Sequence, residues 1–222
     1  MPLLSTFSCY DISVLLWKME ETSQHLMAML PEEEDISECI GFRSETRRCE
    51  WLVERLLLRH VFPSGGVSIS HRSNGSPFLA GPAAGDHYVS LSHTQGFVVM
   101  AFACFPHFGI DIEYVSDRAD RVAGYFINEG EIPVTCSSPS AYRQVLWCAK
   151  ESLFKSLVYA CVNDMKKSTI APFVLSEKGE AKALVSYDGK EYNADIYYQR
   201  HSSYVLTIAR LSDSHQLVHL KR

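Results

Sequence analysis

FVVMAFACFPHFGIDIE, residues 97–113, carries the reading of the fold. Residues 97–105 are apolar and rich in aromatic and β-branched types, with Val99, Ala101 and Ala103 at alternate positions, a pattern that predicts a strand. Pro106 ends it. Gly109-Ile110-Asp111-Ile112-Glu113 then alternates apolar and acidic side chains at the two-residue period of a second strand. Ile110 and Ile112 project from one face, Asp111 and Glu113 from the other.

Working outward, residues 44–62 place Trp51, Leu52, Leu56, Arg59 and Val61 among charges at helical spacing, and Pro63, Gly65 and Gly66 supply a stop. This predicts a long amphipathic helix bearing Arg47, Arg48, Arg55 and Arg59. Gly75, Pro77, Gly81, Pro82 and Gly85 punctuate a loop region, and residues 88–91 read as a strand. Downstream, residues 120–126 are helical in pattern, residues 137–139 form a polar loop, and a second long helix is predicted from about 140 to 160. Val174 and residues 183–187, 192–198 and 204–209 are strand-like, with turns expected at 177–180 and at Asp188-Gly189. The order is α+β and not a regular βαβ alternation. Two similar α+β halves in one chain, residues 1–107 and 108–222, are expected, each with a long helix packed on a mainly antiparallel sheet and with an active site at their junction.

The 222 residues, 46% hydrophobic and 21% charged, are enough to bury a full core. No apolar run approaches the ~20 residues of a membrane span, and the first ten residues lack a secretory pattern, so a cytoplasmic location is expected. The seven cysteines (9, 39, 49, 104, 136, 148 and 161) are odd in number and never spaced as a CxxC pair, which argues against a disulfide framework or a structural zinc site. A formal net charge of −5 offers no general attraction to nucleic acid or acidic membranes. An anionic ligand must therefore meet a local cluster of cations.

The same-face pair Asp111 and Glu113 brings two carboxylates together. Like charges this close oppose each other's ionisation unless a cation stands between them, and carboxylate oxygens are the ligands Mg²⁺ prefers. Taken alone, the pair reads as a solvated strand edge. The second long helix changes that balance. In WCAKESLFK, Tyr142, Leu146, Ala149, Leu153 and Leu157 form the apolar stripe, while Trp147, Glu151 and Lys155 follow one another at i, i+4 and i+8 along its flank. Lys150 falls beside the stripe, where a lysine either snorkels outward or finds an anionic partner. A third carboxylate and two ammonium groups could then complete a metal site and receive phosphates. Ser90-Leu91-Ser92-His93 ends a strand with hydroxyls and an imidazole suited to the same anion. His215 and His219 stand at metal-ligand spacing but lack a third partner.

GIDIE followed by WCAKESLFK resembles the two signature motifs of the 4′-phosphopantetheinyl transferase superfamily, approximately (I/V)G(I/V/T)DxE and (F/W)xxKE(S/A)xxK. The length, the Ser-His strand end and the Arg-rich helix resemble its single-chain, two-lobed Sfp-type branch. The resemblance implies Mg²⁺ on Asp111, Glu113 and Glu151, with Lys155, and with Lys150 as a further cation, on the phosphates of coenzyme A. It assigns Ser92, His93 and one of Arg47 or Arg48 to the nucleotide's phosphates. Gly75, Ser76 and Pro77 match the GKP turn against the adenine, and Tyr125-Phe126 with Glu131 resembles an FFxxxE segment. Two positions depart from the pattern, Ser76 for lysine and Glu54 for a common glycine. The implied reaction moves phosphopantetheine onto a serine of an apo carrier protein, with Glu151, or second Glu113, as general base, and a monomer suffices. Two competing readings are a non-catalytic nucleotide-binding relative and a metal-dependent phosphohydrolase.

Overall fold

Tyr10 and Asp11 turn the chain at positive φ (54° and 61°), closing a hairpin of β1 (Leu3–Cys9) and β2 (Ile12–Lys18). Two left-handed residues in succession are what a two-residue hairpin turn matched to the strand twist requires. Neither residue is glycine, so no turn signal marked this hairpin in the sequence. In the computed structural model, residues 3–157, 164–187 and 189–212 are described. Contacts divide the chain into one unit of Met1–Arg72 and Pro77–Cys104 and another of Ser73–Ser76 and Phe105–Arg222.

The first unit continues with α1 (Ser23–Met27), α2 (Ser37–Gly41), the long α3 (Glu45–Val61), a small hairpin of β3 (Ser68–His71) and β4 (Pro77–Ala80), then β5 (Tyr88–Thr94) and β6 (Phe97–Ala103). Its main sheet is antiparallel in the order β1-β2-β6-β5. Ser44 caps α3 by accepting from the Arg47 amide. The helix buries Trp51, Leu52, Val53, Leu57 and Leu58 in a core shared with Trp17, Val98, Met100 and Phe102. β6 is buried at all seven positions, which explains its unbroken apolar run.

The second unit begins with β7 (Phe108–Tyr114), followed by the single turns α4 (Arg118–Arg121) and α5 (Ala123–Phe126), the long α6 (Pro139–Ser156), β8 (Ser168–Ile170), β9 (Lys178–Tyr187), β10 (Lys190–Arg200) and β11 (Tyr204–Leu211). Its antiparallel sheet runs β7-β11-β10-β9-β8, leaving β7 at an edge. The apolar stripe of α6 is buried as its spacing predicts: Tyr142, Leu146, Ala149, Leu153 and Leu157 pack with Ile196, Ala194, Ala209 and Val185. Each unit thus sets one long helix against an antiparallel sheet, and the protein is of the α+β class.

Three local expectations are corrected. The turn expected at 177–180 is the start of β9, because Gly179 pairs with Tyr198 and a Cβ there would lie 2.5 Å from the Tyr198 hydroxyl. That glycine marks a close approach and not a bend. Val174 lies in no strand and is exposed, and the helix expected at 120–126 is two separate turns. Cys161, Asp188, His215 and His219 lie outside the described residues. The six described cysteines are free thiols, and no helix among the described residues is long and apolar enough to cross a membrane.

Candidate active site

The contact between β7 and α6 starts at Gly109. A Cβ at that position would stand 2.1 Å from the Ser152 carbonyl oxygen and 2.7 Å from the Ser156 amide, so the helix backbone rests directly on the strand. Only glycine permits such an approach. The next two alternate residues, Asp111 and Glu113, then face the helix flank carrying Trp147, Glu151 and Lys155.

Lys155 Nζ lies 2.7 Å from Asp111 Oδ1, and Trp147 Nε1 donates to Glu113 Oε1 at 2.7 Å. The pairing runs in opposite senses along the two elements, so strand and helix are antiparallel. From Trp147 to Lys155 the helix rises ~12 Å, against ~7 Å between Asp111 and Glu113 on the strand. Asp111 is almost fully buried; Glu113, Glu151 and Lys155 are partly so. β7 is therefore no solvated edge, since α6 covers its acidic face.

Electrostatics follow from this crowding. Burial, and after it the neighbouring carboxylates of Asp111 and Glu113, push the Glu151 carboxyl up to about 7 against the opposing pull of Lys155 and Arg118. Burial likewise raises Glu113, partly offset by the Trp147 hydrogen bond, with the Asp111 charge adding to the rise. Arg118 lies over the Trp147 ring at 5.3 Å, and Phe126 meets the same ring edge-on at 5.2 Å. Trp147 is thus clamped, and it holds Glu113 in turn.

The carboxylates of Asp111, Glu113 and Glu151 are hard-oxygen donors of the kind a divalent cation prefers. Among the described residues, no three His, Cys, Asp or Glu side chains stand as a group that could hold a metal ion as they are placed. Asp111 is engaged by Lys155 and Glu113 by Trp147. The donor chemistry fits Mg²⁺, with those two contacts as its competitors.

Lys150 is elsewhere. Its ammonium is fully buried 2.9 Å from Glu131 and donates to the carbonyls of Phe126, Met165 and Ser168. Glu131 in turn accepts from the amides of Asn128 and Ile170. The cofactor-binding role expected of Lys150 gives way to an internal one, because its donors are spent inside the core. It ties α6 to the 126–131 segment and to β8, one residue before Glu151.

The nucleotide-binding candidates lie in the first unit, apart from Gly75 and Ser76. Ser92 is buried in β5 and His93, next to it, is exposed. Arg47 and Arg48 part company. Arg48 Nε donates to the Phe42 carbonyl at 2.8 Å, at the start of α3, whereas Arg47 extends toward Glu50 (3.4 Å) and Glu54 (3.8 Å). Arg55 lies 3.5 Å over the Trp51 ring, and Arg59 pairs with Glu34 at 2.6 Å. Gly75 has a positive φ of 83°, and Asn74 Oδ1 accepts from both the amide and the hydroxyl of Ser76, just before Pro77 opens β4. The sequence reading passed over Glu50. Its signal, an acid one turn from Arg47, is too common on helices to single out.

A strand with two same-face carboxylates thus meets a helix flank carrying tryptophan and lysine. Residues 107–209 match the family model of the 4′-phosphopantetheinyl transferase superfamily, and this part of the chain is similar to that superfamily. The match contains β7 and α6 entire. No curated protein matches the chain.

Proposed function

We propose that this protein transfers the 4′-phosphopantetheine moiety of coenzyme A to a serine hydroxyl of an apo acyl or peptidyl carrier protein. The observation that carries the reading is the pair of contacts Asp111–Lys155 and Glu113–Trp147 flanking Glu151. They bring Asp111 and Glu113 of the strand signature to Trp147 and Lys155 of the helix signature, and leave Lys150 outside the group.

In the reaction the serine oxygen bonds to the β-phosphorus of coenzyme A, and the bond to the bridging oxygen breaks. Adenosine 3′,5′-bisphosphate leaves. Asp111, Glu113 and Glu151 are the residues that would hold Mg²⁺, which supplies charge neutralisation at the diphosphate when bound. Lys155 places an ammonium at the same carboxylates and stabilises charge gathering on the phosphoryl oxygens. Glu151 takes the serine proton, and Glu113, held by Trp147, is the second choice. Arg47, Ser92 and His93 are proposed for the nucleotide's phosphates, and Arg48 is assigned to the helix start. The Asn74–Pro77 turn is proposed for the adenine.

The test is incubation of the protein with coenzyme A, Mg²⁺ and a panel of apo carriers from fatty-acid, polyketide and peptide assembly. A mass gain of one phosphopantetheine on a carrier supports transfer. Phosphate release without a mass gain points to hydrolysis, and coenzyme A binding without either product points to a binding protein.

A further inference from the structure

Arg47 and His93 come from α3 and β5, and they meet at a single carboxylate. Glu50 Oε2 lies 3.4 Å from Arg47 Nη1 and 3.5 Å from His93 Nε2. Glu50 is not a stray surface acid, since its side chain is only 11% exposed. Glu54, one turn further, approaches the same guanidinium at 3.8 Å and is more deeply buried. Nη1 of Arg47 and Nε2 of His93 therefore already face carboxylate oxygens.

A guanidinium presents the same fork of N–H groups to a carboxylate as to a phosphate, so the two compete for it. An incoming phosphate dianion must break the Arg47–Glu50 contact or lie beside a buried negative charge, and both weaken its binding.

We infer that Glu50 is an internal competitor for the terminal phosphate of the nucleotide, so that this chain discriminates weakly between coenzyme A and dephospho-coenzyme A. The inference rests on the transferase reading above. It makes Glu50 a specificity-determining residue: the affinity of the coenzyme comes from its other parts, and the 3′-phosphate adds little.

Calorimetric titration of the full chain with each nucleotide reads the affinity ratio directly, alongside carrier modification followed by mass with each as donor. The wild type is expected to bind the two within about threefold, and Glu50→Gln to tighten coenzyme A about tenfold while leaving dephospho-coenzyme A within about twofold. A wild-type preference for coenzyme A above about 100-fold overturns the inference and needs no variant, so it holds even if Glu50→Gln does not fold. Weaker coenzyme A binding in Glu50→Gln also overturns it, because Glu50 would then be organising Arg47 and His93 for the phosphate. If a carrier gains mass and the ratio does not move, only this inference falls. If no carrier gains mass and neither nucleotide binds, the transferase reading falls and takes it along.

Discussion

Lys155 and Asp111, 44 residues apart in the chain, meet at 2.7 Å across the seam between α6 and β7. The lysine is about a quarter exposed and the aspartate nearly buried, so the ammonium lies on the solvent side of the carboxylate. Charge on a transferred phosphoryl group would be met by the same ammonium.

Lys155→Ala should therefore lower kcat/KM for carrier modification by about 100-fold, the scale of removing one preorganised donor at developing charge. The melting temperature should fall as well, because the nearly buried Asp111 carboxylate loses its ammonium partner, so the rate is read at a temperature where the variant is folded. A rate within a factor of about three of wild type would remove Lys155 from the chemistry.

Gly109→Ala inserts a methyl group where the Ser152 carbonyl already stands 2.1 Å away. The helix must lift from the strand, and overpacking of this kind costs about 3 kcal/mol. Urea denaturation should show that loss. Any protein that remains folded should also lose activity, since Asp111 and Glu113 no longer reach Lys155 and Trp147.

The buried Lys150–Glu131 pair predicts a non-additive result. Lys150→Met leaves Glu131 buried among donors without its ammonium partner, and Glu131→Gln strips the ammonium of its counter-charge; each should destabilise by about 3–5 kcal/mol. Combining Lys150→Met with Glu131→Gln removes both charges and should recover part of the loss, as a double-mutant cycle would report. Independent, additive effects would deny the coupling.

Glu54 gives a pH signature in stability. Burial lifts its carboxyl from 4.5 to about 7, with Arg47 and Arg55 only partly opposing the rise. The folded state thus holds a proton that the unfolded state releases earlier. Its stabilising contribution is complete below pH 4.5 and declines as pH rises to about 7, with a total on the order of 3 kcal/mol. Glu54→Gln should flatten stability over that window and raise the melting temperature above pH 7. An unchanged slope in the variant would assign the pH dependence elsewhere.

How far the site was readable from residues depended on periodicity. The i, i+4, i+8 spacing of Trp147, Glu151 and Lys155 and the two-residue spacing of Asp111 and Glu113 each define a face, and the structure sets those faces against each other. Contacts without a period were not readable. Lys150 was placed correctly beside the apolar stripe, but its partner Glu131 sits in an irregular loop that no pattern connects to α6. The β1–β2 hairpin was missed because Tyr10 and Asp11 adopt left-handed backbone without the glycine that usually announces it. Gly109 looked like one small residue in a strand, and its importance depends on a helix some 45 positions away.

That glycine has a consequence for how such a site can change. The separation of strand and helix at Gly109 is set by peptide groups in contact, not by the acidic and basic side chains beside them. Positions 111, 113, 151 and 155 can accordingly be exchanged while the frame beneath them keeps its dimensions. Other donor sets, for other metals or leaving groups, could be installed on the same two elements with the spacing already guaranteed.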